Sequence, residues 1–473
     1  MQEFSERLKE AIAKSGVPVM RIARQSGLSQ SMLYKMQSGS RLPDSLETLE
    51  RMLSVMACAL PERQELLRAY RIERVGQVRY RCFQEMRAML SDMAHVTPLP
   101  KTGDVSHEME IPRVITGASN IDLVMQYLLE KETLRPHGRI RLMLPLNYGY
   151  CVGYLSHALV NCHPEFDTVD HLFYLQSTQT DEAMFYNVST MREVLPRIIT
   201  LPKYRARYSY LTDPGVGTVL FPYLVITTDG VMQIGMNHQK AVFLRDPEIR
   251  DRFIEAFEES AKQFQPMVEV GAPSMEMYFH TWANVTQPII NETIRATCIA
   301  TAPCILSSIP REISLKYLPK EMMRPEMLAI SQKFYEKATE GGCVSFFTEE
   351  GLRHLIETGE IVEMPGDFVP RGQRQDILLA LDIFIQRCKE GSNVPYLFRE
   401  NLFQGVGRFA MSQRGGSLLT LFEAAPGLAC ANITESSLSR LVSEYAEDAE
   451  MVGDVYSPAE SIEIMERVVS EYR

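Results

Sequence analysis

The stretch Ile22-Ala23-Arg24-Gln25-Ser26-Gly27-Leu28-Ser29-Gln30-Ser31-Met32-Leu33 decides how the first part of this chain is read. Its apolar residues fall on two short helical runs parted by Ser26-Gly27-Leu28. A small Ala23 lets the two helices approach closely, Gly27 supplies the positive φ of a tight turn, and Leu33 anchors the helix beyond it. Ser29 stands where an N-cap belongs, so Gln30, Ser31, Tyr34 and Lys35 open the second helix with polar side chains turned from the core. Outward from this stretch, Phe4, Leu8 and Ile12 mark a helix before it, and Leu46, Leu49, Leu53 and Met56 a helix after it. Ser15-Gly16, Ser38-Gly39 and Leu60-Pro61 separate the runs. The pattern predicts a compact all-α bundle over residues 1–75, with one helix suited to base edges in a major groove.

The same twelve residues, followed by Gln37-Ser38-Gly39-Ser40-Arg41-Leu42-Pro43, resemble the XRE family, the Cro and phage-repressor type of helix-turn-helix, over about residues 4 to 60. The resemblance implies that Gln30, Ser31 and Tyr34 read bases and that Ser38, Ser40 and Arg41 touch phosphate. Pro18-Val19 stand where the family usually has Thr-Gln, and Gln37 where it has Glu, so one phosphate contact is lost; Arg21, Arg24 and Lys35 can replace it.

Charge agrees with that division of labour. Residues 1–81 hold 14 Lys and Arg against 9 Asp and Glu, a net of +5, while the remainder holds 35 against 51, a net of −16. Phosphate neutralisation needs local positive charge, so a basic head on an acidic body suits a nucleic-acid-binding module joined to a non-binding region. The rest of the composition, 45% hydrophobic and 23% charged, is that of an ordinary folded protein. Nine scattered cysteines without a Cys-x-x-Cys, and no visible export signal, lead to the expectation of a reduced, cytoplasmic setting. The uncharged run from Leu142 to Pro164 splits into a strand and a helix and is not read as a membrane span.

Residues 76–110 read as a helical connector and linker. The helical pattern from Pro61 to Ala94 breaks at Gly76, and Val75, Cys82 and Met89, with Met86 and Met93, recur every seven residues. Such a seam either joins two protomers or packs on its own chain. Beyond it, strand-like and helix-like runs alternate, which predicts an α/β or α+β region divided into lobes over 111–270 and 271–473. A strand, Asp229-Gly230, a strand and a helix with Phe253 and Phe257 parallel a later strand, Gly415-Gly416, a strand and a helix with Leu441 and Tyr445, which leaves open two related lobes. Thr228-Asp229-Gly230 before Ile234-Gly235-Met236-Asn237 also faintly resembles the phospholipase D superfamily, itself built from two halves. That family's His-x-Lys is absent at the matching place and from the second half, so its nucleophile and acid pair cannot be assembled.

No phosphate-cradling loop, Gly-x-Ser-x-Gly or His-Glu-x-x-His occurs, so neither catalytic residues nor a cofactor are expected. His157, Cys162, His163, Asp167, Asp170 and His171 crowd together at spacings that fit no standard metal site and read as surface and capping residues. Tyr148, Tyr150 and Tyr154 follow the first predicted strand of the body, and Arg205, Arg207, Tyr208 and Tyr210 alternate as an exposed strand would; Tyr148, Tyr150, Tyr154, Arg205 and Arg207 are the candidate ligand-binding residues. The sequence thus leads to a sequence-specific transcription regulator, a homodimer on double-stranded DNA, whose body senses a small-molecule or peptide effector or supplies the dimer interface. The alternatives are an enzyme or pseudo-enzyme body carrying a DNA-targeting head, or a protein-binding scaffold.

Overall fold

The first 75 residues are cut into five helices by the residues expected to end them. The computed structural model describes residues 2–95, 109–148, 151–177, 180–199, 201, 203–211, 221–271, 293, 295–305, 308–317, 328–329, 332–333, 336–337, 340–362, 371–406, 408–424 and 427–473. Helices α1 (Gln2–Ser15), α2 (Val19–Gln25), α3 (Gln30–Gln37), α4 (Leu46–Met56) and α5 (Leu60–Val75) enclose one core containing Phe4, Leu8, Leu33, Met36, Leu49 and Tyr70. Tyr70 closes it from α5, its ring 5.9 Å from that of Phe4 and its hydroxyl donating to the Pro43 carbonyl at 3.1 Å. The all-α bundle expected for this segment is present. Gly76 ends α5 and begins α6 (Gln77–Ala94) with φ 98° and ψ 133°, a conformation that suits glycine.

The body is α+β and consists of two mixed sheets that repeat one plan. The first lobe runs β1 (Val114–Thr116), α7 (Ala118–Thr133), β2 (Arg139–Met143), α8 (Cys151–Val160), β3 (Thr168–Gln176), α9 (Asp181–Ile198), β4 (Tyr204–Leu211), β5 (Tyr223–Thr227), β6 (Gly230–Ile234), β7 (Lys240–Leu244), α10 (Pro247–Ala261) and β8 (Gln265–Pro266). The second runs β9 (Val268–Gly271), β10 (Ala296–Ala300), α11 (Arg311–Tyr317), β11 (Cys343–Phe347), α12 (Glu349–Thr358), α13 (Arg374–Lys389), β12 (Val394–Leu397), β13 (Phe409–Arg414), β14 (Ser417–Ala424), β15 (Gly427–Ile433), α14 (Ser436–Val452) and α15 (Pro458–Glu471). Strand order is β1-β7-β6-β5-β2-β3-β4-β8 in one sheet and, read from the opposite end, β9-β15-β14-β13-β10-β11-β12 in the other.

The registers repeat as well. Arg141 pairs with Asp170 on one side and Ile226 on the other, and Thr297 pairs with Val344 and Gln413 in the same way. Even the short edge strand recurs, since β8 lies antiparallel to β4 and Val455 bridges antiparallel to Phe398 after β12. The two lobes therefore share one strand order and one pairing register, the likeness left open by the sequence. The residue matching differs in detail: Thr227 pairs with Gly230 as Arg414 pairs with Ser417, so Gly230 corresponds to Ser417 rather than to Gly416. The chain changes sheets at Met267, between β8 and β9, rather than at 270, because β9 pairs with β15.

Helix α6 follows the second of the two readings of its heptad repeat, packing on its own chain. Cys82, Phe83, Met86, Met89, Leu90 and Met93 are all buried in a core shared with α9, α14 and the facing side of the second sheet, so the heptad repeat packs within the chain. The far side of the first sheet is covered by α10 through Phe257, against Leu172, Ile226 and Val231. The far side of the second is covered by α12, α13 and α15. The apolar pattern from Pro325 to Thr339 predicts a further helix, which lies largely outside the described residues, as does most of the linker. Among the described residues no helix is long and apolar enough to cross a membrane.

Two measurements check this packing. Phe83→Ala removes a fully buried ring at the centre of the shared core and should cost about 3–5 kcal/mol in urea unfolding, independent of protein concentration; a loss that disappears on dilution would return α6 to an intermolecular role. His171, fully buried, donates from Nε2 to the Leu144 carbonyl at 2.9 Å and accepts at Nδ1 from the Tyr204 hydroxyl. Burial pushes its imidazole down to about 4, so the folded chain excludes a proton that the unfolded chain takes up below its ordinary value of 6.5. Stability should therefore fall by about 3 kcal/mol as pH drops from 6.5 to about 4. His171→Gln should lose that part of the pH profile, and identical profiles would refute the assignment.

Candidate nucleic-acid interface

Two successive helix ends, each closed by a glycine, position α3. After α2, Gly27 has φ 75°, its N–H donates to the Arg24 carbonyl at 3.4 Å, and Leu28 N–H donates to the Ala23 carbonyl at 2.8 Å. After α3 the arrangement recurs: Gly39 has φ 73°, and Gly39 and Ser40 N–H donate to Met36 and Lys35 carbonyls at 3.2 and 2.9 Å. These paired bonds satisfy terminal carbonyls and turn the chain sharply, which is why both stops fall at Ser-Gly. Ser29 caps α3, its Oγ accepting from Met32 N–H at 3.2 Å. Ile22, Ala23, Leu33 and Met36 face inward and are buried.

The opposite face of α3 is left open. Gln30, Ser31, Tyr34 and Lys35 are all exposed, Tyr34 at 56%, and neither the rest of the bundle nor the body covers them. The structure brings these four expected residues onto one surface, and Arg21 and Arg24 of α2 are exposed and have no ion-pair partner among the described residues. Ser38 and Ser40 sit together at the end of the helix, their hydroxyls 2.7 Å apart. Arg41 differs from its expected freedom: its guanidinium is held by Asp44 at 2.8 Å, so a phosphate would have to compete with that carboxylate. Such a surface offers amide, hydroxyl and phenol groups for base edges, with guanidinium and ammonium groups at its margin for backbone phosphates.

The candidate ligand residues of the body do not converge. Tyr148 is buried, stacked on His238 with centroids 3.7 Å apart and edge-on to Tyr223 at 5.5 Å. Burial pushes its phenol well up, and nearby Asp122 adds to the effect. Burial also lowers the His238 imidazole, against the attraction of Asp122, whose carboxylate lies 3.8 Å from Nε2. Tyr154 lies in α8, and Tyr150 is outside the described residues. Arg205 and Arg207 belong instead to β4, where Arg207 donates to the Ala261 carbonyl closing α10 at 3.4 Å and Arg205 pairs in register with Asp170. Tyr208 and Tyr210 bridge the lobes, donating to Thr434 O and Glu435 Oε1 at 3.3 and 2.7 Å. Among the described residues no hydrogen bond or ring contact joins the β4 group to Tyr148, which lies beyond the end of β2.

The remaining polar candidates have structural partners. Asp229 occupies the β5–β6 turn; burial pushes its carboxyl up, but Lys131 at 3.0 Å and Arg135 at 2.7 Å outweigh this and hold it low. Asp170 is paired with Arg139 at 2.8 Å, and His163 Nδ1 accepts from Glu165 N–H. No cluster of three metal-ligating side chains occurs among the described residues. All nine cysteines are free thiols.

No family model matches the chain, and no curated protein matches it. Among solved structures it is similar to TrmBL2, an archaeal chromatin protein described as having a novel mode of DNA binding, with 14% identity, a TM-score of 0.22, and coverage of 56% of this chain and 93% of that one. It is also similar to polyphosphate kinase from Porphyromonas gingivalis, with 11% identity, a TM-score of 0.21, and coverage of 71% and 49%. A third is phosphatidylserine synthase from Haemophilus influenzae Rd KW20, with 10% identity, a TM-score of 0.22, and coverage of 76% and 92%. The chain thus spans about half the length of the polyphosphate kinase. Likenesses of this size carry no argument about function.

Ser29→Ala removes the acceptor for Met32 N–H and should lower stability by about 1 kcal/mol. Ser40→Ala, at an exposed hydroxyl, should stay within about 0.5 kcal/mol of wild type. Thermal unfolding of the two variants side by side checks the cap; equal losses would contradict it.

Proposed function

We propose that this chain is a sequence-specific, DNA-binding transcription regulator with a helix-turn-helix head of the XRE type. The observation that carries the reading is the open face of α3, with Gln30, Ser31, Tyr34 and Lys35 directed outward from a helix fixed at both ends. The net charge of +5 over residues 1–81 against −16 for the remainder supports it, since local positive charge attracts phosphates while the acidic body is repelled. In this reading Gln30, Ser31 and Tyr34 contact bases, and Arg21, Arg24, Lys35, Ser38, Ser40 and Arg41 contact the backbone. Two copies acting as a homodimer in the cytoplasm would place two such helices on half-sites roughly 34–36 Å apart. The body then supplies the dimer interface or the sensing of an effector, with no catalytic role.

The test is a fluorescence-anisotropy titration of the full chain against duplexes selected from a random pool. Affinity should fall linearly with the logarithm of salt concentration, because bound cations displace counterions. Gln30→Ala should reduce discrimination between selected and scrambled duplexes by about 1–3 kcal/mol, whereas Arg24→Ala should weaken both about equally and lower the salt slope by about one. Absence of duplex binding, or two variants indistinguishable from wild type, would overturn the reading.

A further inference from the structure

Where α1, α5 and α6 meet, the chain forms a polar cleft of about 460 Å³, within the size range of small-molecule sites, roughly 300–1,000 Å³. Its charges are unevenly matched. Glu3 and Glu65 both turn to one guanidinium, that of Arg7, which donates to Glu3 Oε1 at 3.1 Å and to Glu65. Arg68 from α5 and Arg81 from α6 line the same space, and among the described residues neither has a carboxylate partner. Glu85, one helical turn beyond Arg81, is occupied by Arg192 at 2.7 Å.

Arg81 is also held in place. Its guanidinium lies over the Phe185 ring, 4.1 Å from the centroid. A planar cation fixed on a ring by one face keeps the N–H groups along its edge for an acceptor, and such a fork matches the oxygen spacing of a carboxylate or phosphate. Gln77 and Gln84, also lining the cleft, add amide groups for the remainder of a ligand.

We propose that this cleft binds a small oxyanionic ligand, carrying a phosphate or carboxylate group, between Arg68 and Arg81. Its walls belong to the first helix of the bundle and to both helices that lead into the body, so an occupant touches head and body together. That regulatory consequence rests on the DNA-binding reading; the binding itself does not.

Isothermal titration of the full chain, at constant ionic strength and without DNA, tests it with two probes, inorganic pyrophosphate and malonate. Saturable binding of pyrophosphate alone marks a phosphate-bearing ligand, and of malonate alone a carboxylate. Arg68→Gln and Arg81→Gln should each weaken the bound probe about tenfold or more, while Arg74→Gln, an exposed arginine on α5 outside the cleft, should leave it unchanged. No saturable binding of either probe, or equal affinity in all three variants, would overturn the site. Because DNA is absent, loss of the functional reading leaves this result standing, and the reverse holds too. A duplex affinity that the probe alters in wild type but not in Arg68→Gln supports the regulatory consequence; the same response in both removes it.

Discussion

Burial of α6 is the constraint from which the arrangement of the molecule follows. Phe83 meets Tyr445 edge-on at 5.4 Å, and Tyr445 in turn packs against Phe346 of the second sheet at 5.2 Å, so a helix that follows the head in sequence lies within the core of the body. A ring of charge surrounds this apolar contact. Arg79 approaches Glu444 at 3.5 Å, with Asp181 and Asp448 at 3.8 and 3.9 Å, and Arg87 pairs with Asp454 at 2.7 Å. Burial pushes the Asp448 and Asp454 carboxyls up while the arginines oppose it, a balance in which desolvation offsets much of the attraction. The pairs therefore contribute more to fixing the rotation of α6 than to net stability, which comes from the six buried side chains.

The plan that the two lobes share shows where such a helix fits. In each lobe the helix entering the fourth strand of the repeat needs a cover: α6 covers α9, and α15 covers α13. One cover arrives from the N-terminal side of the repeat and the other from its C-terminal side. Helices α10 and α14, at matching places in the two lobes, differ according to what lies outside them. On α10 Ile249 is 41% exposed and Asp251, Arg252, Glu255 and Glu259 face water, whereas on α14 Leu441, Val442, Tyr445 and Ala449 are fully buried. The shared plan thus carries opposite burial, because only α14 faces another element on its outer side.

How much of this could be read from sequence followed the same physics. The bundle was legible because its stops are local: Ser-Gly at 26–27 and 38–39 and Ser29 before a helix act through their own backbone. The open face of α3 was legible for the same reason. Helix α9 was not recognised, since Asn187 and Thr190 lie on its buried side and Pro196 near its end blurs the apolar period. Asn187 is satisfied only in the fold, donating to Gln176 O and accepting from Gln176 N–H, both at 2.9 Å. Strand β10 was missed because Ala-Thr-Cys-Ile-Ala is buried on both faces and shows no alternation. The β4 arginines suggested a ligand, whereas in the fold Arg207 donates to the carbonyl that closes α10 and Arg205 stands in register with Asp170, which requires knowing where α10 and β3 lie. Nothing in the sequence set Arg68 and Arg81 apart from the other basic residues of 1–81, because they come to line one cleft only through the bend at Gly76.

That bend sets how the head is held. A Cβ at Gly76 would meet nothing within 4 Å, so the turn is maintained by a backbone conformation and not by packing around it. The head has a second attachment that is packed. A Cβ at Gly453, which closes α14 with φ 80°, would collide with the Arg71 guanidinium, and Met451 packs against the core of the bundle. Arg71, its charge disfavoured by burial, thus lies between head and body against a residue that has no room for a side chain. Rotation of α5 about Gly76 would cost little at the glycine itself, but it would have to lift Arg71 from Gly453 and Met451 from the bundle. A ligand can shift such an equilibrium only by its difference in affinity for the two positions, and the cleft between α1, α5 and α6 gives one route to such a difference, because its walls lie on both sides of the Gly76 turn.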